Sequence, residues 1–138
     1  MILIDTNVVI DALDPATRYY DWALRQVVDA VNGEGGAINA VILAELCAGK
    51  RDPAGVAAEL RKFGLEILGL PSASAPICGR AYRSYKTARS ASGGSVAPLA
   101  PLPDFFIGAH AEIMGWKVAT RDTERFAKYF PAVALLTP

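Results

Sequence analysis

A chain of 138 residues, 52% hydrophobic and 20% charged, is long enough to bury one good core and too short for two, so a single domain over residues 1–138 is expected. Fourteen basic residues balance fourteen acidic ones, which excludes bulk charge as the source of any attraction to nucleic acid. No apolar run approaches the roughly 18 residues of a membrane span, no basic stretch leads an apolar core at the start, and Cys47 and Cys78 stand far apart in apolar surroundings; a cytoplasmic protein with two reduced cysteines and no membrane partner is expected.

The chain opens with "MILI", an apolar strand that ends on a carboxylate, Asp5, and turns into a short helix over Asn7 to Leu13. A longer helix is expected from Thr17 to Asn32, then a strand at "GAINA" and a helix from Val41 to Ala48. Asp52 and Pro53 occupy cap and first-turn positions for a helix from Ala54 to Phe63. The strand "LEILGL" follows, then a helix over Ala73 to Arg89. Residues 90–103, "SASGGSVAPLAPLP", read as a mobile loop. Phe105 to Gly115 forms a helix, "KVAT" a strand, Thr123 to Tyr129 a short helix halted before Pro131, and "AVALL" a last strand. This alternation predicts an α/β layer fold, a central mostly parallel sheet flanked by helices.

In such sheets a ligand crevice lies beyond the carboxyl ends of the strands. Asp5 stands at one such end, and Asp122, just after "KVAT", belongs at the same edge if its strand is parallel to the first. Asp between strand and helix is also a favoured N-cap, which is the purely structural account of both. Glu45 resists that account: its helical neighbours are Val41, Ile42, Ala48 and Gly49, with no Lys or Arg within a turn. A carboxylate on such a face needs a partner or a cation unless it reaches out to water. Asp104 follows Pro103 at a helix start, with Ile107, Gly108 and Ala111 on its face.

Four carboxylates that converge without a matching cation repel one another, and a divalent ion resolves this. An all-oxygen donor set suits Mg²⁺, with Mn²⁺ as a substitute, and leaves coordination positions for water and a substrate phosphate. Phosphodiester hydrolysis is the chemistry such a site supports.

"MILIDTN", the "AEL" that carries Glu45, "PDFFIGAHA", "VATRDTERF" and "YFPAV" together resemble the PIN domain ribonucleases, and more narrowly the VapC-type toxins of bacterial toxin–antitoxin pairs. The resemblance runs from Met1 to about Leu136. It implies a Rossmann-like sheet and a Mg²⁺- or Mn²⁺-dependent endoribonuclease whose metal-binding, catalytic acids are Asp5, Glu45, Asp104 and Asp122. It also implies a homodimer and inhibition by a cognate antitoxin. Asn7 and Thr120 match the polar positions that accompany the acids, where an amide or hydroxyl orients a carboxylate; capping the first helix and filling a strand are their structural alternatives.

RNA contact is a further expectation. From Ile67 to Pro103 there is no acidic residue, while Arg80, Arg83, Lys86 and Arg89 make the segment basic and leave the remainder acidic. Tyr82 and Tyr85 interleave with them, so "RAYRSYKTAR" reads either as an RNA-contacting face or as a solvated helix with two buried tyrosines. The sequence does not decide whether Arg121 and Arg125 touch phosphate.

Other chemistries fare worse. His110, the only histidine, sits among Phe106, Ile107, Ile113 and Met114 as a core residue, which leaves a Ser-His-Asp or Cys-His hydrolase without a base and zinc without ligands. "NGEGGA" lacks the Lys-Ser/Thr ending of a phosphate loop. A haloacid-dehalogenase-like enzyme requires a second Asp where Asn7 stands. The non-enzymatic alternative is an acidic pocket that binds a basic partner peptide.

Overall fold

The computed structural model describes all 138 residues. Strand β1 (Ile2–Ile4) leads into α1 (Thr6–Leu13) and α2 (Tyr20–Asn32); β2 (Gly36–Asn39) into α3 (Ala40–Ala48) and α4 (Pro53–Lys62); β3 (Glu66–Leu68) into α5 (Ala75–Ala91) and α6 (Pro103–Met114); β4 (Lys117–Ala119) into α7 (Thr123–Tyr129) and β5 (Leu135–Leu136). The strands form one sheet in the order β3-β2-β1-β4-β5, and every pair is parallel. The predicted mostly parallel α/β sheet is therefore wholly parallel. No helix is long and apolar enough to cross a membrane.

The chain lays β2 and β3 outward from β1 on one side, then crosses to β4 and β5 on the other, with Leu3 facing Ala37 and Val118 in register. Being covered on both faces, β1 is buried throughout, as the continuous run "ILI" requires. Strand order reverses between β1 and β4, and Asp5 N donates to Ala119 O across that gap at 3.0 Å.

Most helix boundaries lie within one or two residues of expectation, and two of the differences have visible local reasons. Helix α2 begins at Tyr20 instead of Thr17, because residues 14–19 are used in turns: Asp14 Oδ1 accepts from Ala16 N, and Thr17 Oγ1 accepts from Tyr19 N while donating to Asp11 Oδ1. The predicted helix from Ala73 is α5 preceded by a 3-10 turn at Ser72–Ser74.

Phe105, Phe126 and Phe130 are the largest fully buried side chains, each contributing on the order of 1.5–3 kcal/mol by leaving water. Phe105 and Phe130 meet at 6.0 Å between ring centroids, and Gly108 of α6 passes so close to the Phe130 ring that a Cβ there would overlap it. Gly115 ends α6 in the left-handed region (φ 65°), where a glycine cap carries no steric penalty. The tyrosines join this aromatic group. Tyr82 is buried, 5.2 Å from Phe105, and Tyr85 stacks on Tyr82 at 5.7 Å. The buried-tyrosine alternative for "RAYRSYKTAR" is the one that Tyr82 obeys.

The loop expected to be mobile is tied at two points. Arg89 donates to Ser95 O (2.6 Å) and Ser95 Oγ (2.5 Å), and the Tyr82 hydroxyl donates to Pro98 O. Between those ties Val96 stands almost wholly exposed and packs nothing. Cys47 and Cys78 are both free thiols, Cys78 in the core and Cys47 half-buried beside it.

Candidate active site

The reversal point gathers the acids. Asp5 caps α1, accepting from Thr6 N at 2.7 Å, so its N-cap account is correct as far as it goes. Yet one backbone N–H does not explain its other contacts. Asn7 Nδ2 and the Thr120 hydroxyl each donate to Asp5 Oδ2 at 2.6 Å, and Asn7 Oδ1 in turn accepts from Arg121 N at 3.1 Å. Thr120 Oγ1 also accepts from Asp122 N at 3.0 Å. Asn7 and Thr120 thus tie the end of β1 to the end of β4 through one buried carboxylate.

Asp122 caps α7, with Oδ1 3.4 Å from Arg125 N. Asp104 lies in the first turn of α6 and makes no capping bond; its carboxylate instead takes a hydrogen-bonded ion pair from Arg125 Nη1, which also lies 3.9 Å from Asp122 Oδ2. Asp104, unlike Asp5 and Asp122, thus has no helix cap to account for it. Glu45 is held from the first turn of α1: the Thr6 hydroxyl donates to Oε2 at 2.5 Å. Arg125 corrects the expectation that the acids lack a fixed cation, while Arg121 pairs elsewhere, with Nε 2.6 Å from Asp11 Oδ2 in an ion pair without hydrogen-bond geometry.

Burial is the largest influence on Asp5, which is 2% exposed, and it pushes the carboxyl up to about 6. The Thr120 hydrogen bond opposes the shift; the charges of Asp104 and Glu45 add to it. Asp104 is also raised, because burial and Asp122 outweigh its Arg125 pair. Burial works against the Arg125 guanidinium, but Asp104 and Asp122 more than offset it and hold it firmly charged. The acids thus sense one another through a partly dry edge.

No three His, Cys, Asp or Glu side chains stand in metal-holding geometry here. The donor chemistry nonetheless fits a hard cation. The set is all oxygen, and burial of its most inaccessible member, Asp5, favours an arriving positive charge. Two of the four acids are engaged within the chain: Arg125 pairs with Asp104, and the Thr6 hydroxyl donates to Glu45.

A cleft of about 420 Å³ opens beside Asp122, lined also by Glu124, Arg125, Lys128, Tyr85 and Arg89 among others; Asp5, Glu45 and Asp104 do not line it. Of the four basic residues expected at RNA, only Arg89 reaches it, and Arg89 is also engaged with Ser95 and Tyr85. Arg80 pairs with Glu112 at 2.9 Å, while Arg83 and Lys86 are exposed. Thr6 is the site residue that sequence reasoning missed; Arg125, left open there between phosphate and solvent, pairs instead with Asp104, a contact the sequence reading did not name. A hydroxyl directly after a strand-end acid is a signal for the first; an Arg three residues after Asp122, one turn along a short helix, is a signal for the second. His110 is buried off the site as expected, with Nδ1 3.3 Å from Asn39 Nδ2 and its ring against Trp116.

The PIN domain family model matches residues 2–130. No curated protein matches the sequence. Among solved structures, FitAcB from Neisseria gonorrhoeae is 27% identical with a TM-score of 0.65, the match covering 100% of this chain and 98% of that one. VapBC2 from Rickettsia felis, bound to a fragment of its promoter DNA, is 22% identical at a TM-score of 0.63, covering 100% and 99%. VapC20 of Mycobacterium tuberculosis, a toxin that cleaves the sarcin–ricin loop, is 14% identical at 0.63, covering 97% and 99%. The last two are likenesses of fold. With a parallel sheet that reverses at β1 and β4, acids at that reversal, and a family match over nearly its whole length, this chain belongs to the PIN domain family.

Proposed function

We propose that the chain is a divalent-metal-dependent endoribonuclease and the toxin of a toxin–antitoxin pair. The observation that carries this reading is Asp5: a nearly inaccessible carboxylate, held by Thr6 N, Asn7 and Thr120, where burial above all, with the charges of Asp104 and Glu45 adding, disfavours an unpaired negative charge. A polar network of this cost at a sheet's switch point serves a ligand better than it serves stability.

Asp5, Glu45, Asp104 and Asp122 are the residues that would hold Mg²⁺ or Mn²⁺. When bound, the ion supplies an activated water and charge neutralisation at the scissile phosphate. The chain's own groups orient the acids. Asn7 and Thr120 fix the Asp5 rotamer, and Thr6 fixes Glu45, as outer-shell partners do. The cleft beside Asp122 gives an RNA strand a route past the acids, with Lys128 and Arg89 on its wall for phosphate contact.

A cognate antitoxin is the proposed partner, since the solved neighbours include toxin–antitoxin complexes. Ile10, Leu13, Val28 and Phe63 remain exposed on α1, α2 and the end of α4, an apolar face suited to a protein partner. A homodimer and a cytoplasmic location accord with the family resemblance. The Arg125–Asp104 pair favours a second reading, a non-catalytic pocket for basic side chains of a partner. Induced expression with genome-wide mapping of new RNA 5′ ends separates them. Cation-dependent sites present with the parent and absent with Glu45→Gln support the nuclease; identical maps in both refute it.

A further inference from the structure

Arg125 is the only cation that pairs with any of the four acids. Its place is set by α7. Asp122 caps that helix and Arg125 follows one turn later, so the guanidinium reaches across to Asp104 on α6 while staying 3.9 Å from Asp122 Oδ2. The oxygen it takes, Asp104 Oδ2, belongs to a carboxylate that a divalent ion at this site would need.

Two positive charges on one half-buried carboxylate repel, so occupation by the guanidinium and by a divalent ion are alternatives. The arginine has somewhere to go. Its side chain is about one-third exposed and already lines the 420 Å³ cleft, where Glu124 offers another anionic neighbour. No backbone movement is required, because the stem is flexible and no other hydrogen bond holds its guanidinium.

We propose that Arg125 is a positioning residue: a displaceable internal counter-ion that rests on Asp104 in the cation-free chain, gives way to a divalent ion, and so sets the affinity for that ion. This rests on the reading that the acids bind a divalent cation.

The test is calorimetric titration of the full chain with Mn²⁺ alone, for the parent, Arg125→Gln, Arg125→Lys and Lys128→Gln. Lys128 lines the same cleft and pairs with no acid, so it reports the general field of a lost positive charge. Arg125→Gln should bind Mn²⁺ about tenfold tighter than the parent, within the usual range for coupled sites. Arg125→Lys, which keeps the charge but loses the fork, should fall between them, and Lys128→Gln should stay within about threefold of the parent. Unchanged or weaker binding in Arg125→Gln overturns the proposal, as does an equal gain in Lys128→Gln. Should Arg125→Gln fail to fold, Arg125→Lys decides: affinity no tighter than the parent's overturns it. Mn²⁺ binding by none of the four proteins defeats the acid-site reading itself, a result distinct from failure of the arginine's role alone.

Discussion

The Thr6 hydroxyl donates to Glu45 Oε2 at 2.5 Å, joining the first turn of α1 to the middle of α3 across 39 residues of sequence. Glu45 therefore does not reach freely into water. Thr6→Val keeps the shape of the side chain and deletes the donor. It should leave the chain folded and weaken Mn²⁺ affinity and RNA cleavage by about 10–100-fold, as loss of an outer-shell partner does. Thr6→Ser should recover most of both. Parent-like cleavage by Thr6→Val would remove this hydrogen bond from the mechanism.

Cation binding to the folded chain alone must raise its stability. At 100 times the dissociation constant, one site contributes about 2.7 kcal/mol. Melting of the parent in chelator and in Mn²⁺ should show that rise, and Asp5→Asn should lose it. Equal cation-induced shifts in the two proteins would place the ion elsewhere.

Gly108 is required by packing, not by backbone angle. Its α6 position faces the Phe130 ring at a separation that no Cβ tolerates. Gly108→Ala should cost about 1–3 kcal/mol, several degrees in Tm, with far-UV dichroism unchanged. A Tm equal to the parent's would show that Phe130 shifts aside without penalty.

His110 predicts an acid weakness unrelated to catalysis. Burial lowers its pKa below the ordinary 6.5, so in that window the unfolded chain takes up a proton that the folded chain refuses. Its contribution to stability is complete above about pH 6.5 and is lost as pH falls toward the lower folded value. Denaturant unfolding of parent and His110→Gln at pH 7.5 and 5.5 checks this. The parent should lose more stability on acidification than the variant; parallel losses would contradict the assignment.

Much of this architecture is legible before any coordinates. Each strand is a short apolar run bounded by breakers, and Asp5 and Asp122 stand out because both fall where parallel strands end, at the crevice edge, although each also caps the helix that follows. Glu45 stands out because its helical neighbours are apolar. The side-chain pairings are a different matter. Arg125 meets Asp104 at a sequence separation of 21 and Thr6 meets Glu45 at 39, separations at which only the packed sheet fixes who faces whom. The tyrosines of α5 illustrate the same limit: a basic helix with two aromatic residues presents the same pattern whether the rings face RNA or, as for Tyr82, Phe105. Loop 90–103 looked mobile from composition, and the Arg89 and Tyr82 bonds that tie it come from a helix already formed.

The central claim, hydrolysis of RNA by water at a carboxylate-held cation, is tested most directly by the chemistry of the product ends. A defined RNA is incubated with the purified chain in Mg²⁺, in Mn²⁺ and in chelator, beside Asp104→Asn, and both new termini are identified. The account predicts 5′-phosphate and 3′-hydroxyl ends that appear only with the cation and vanish in the variant, because no histidine lies at the site to activate the ribose 2′-hydroxyl. Cyclic 2′,3′-phosphate ends, or cleavage that persists in chelator or in Asp104→Asn, would contradict it.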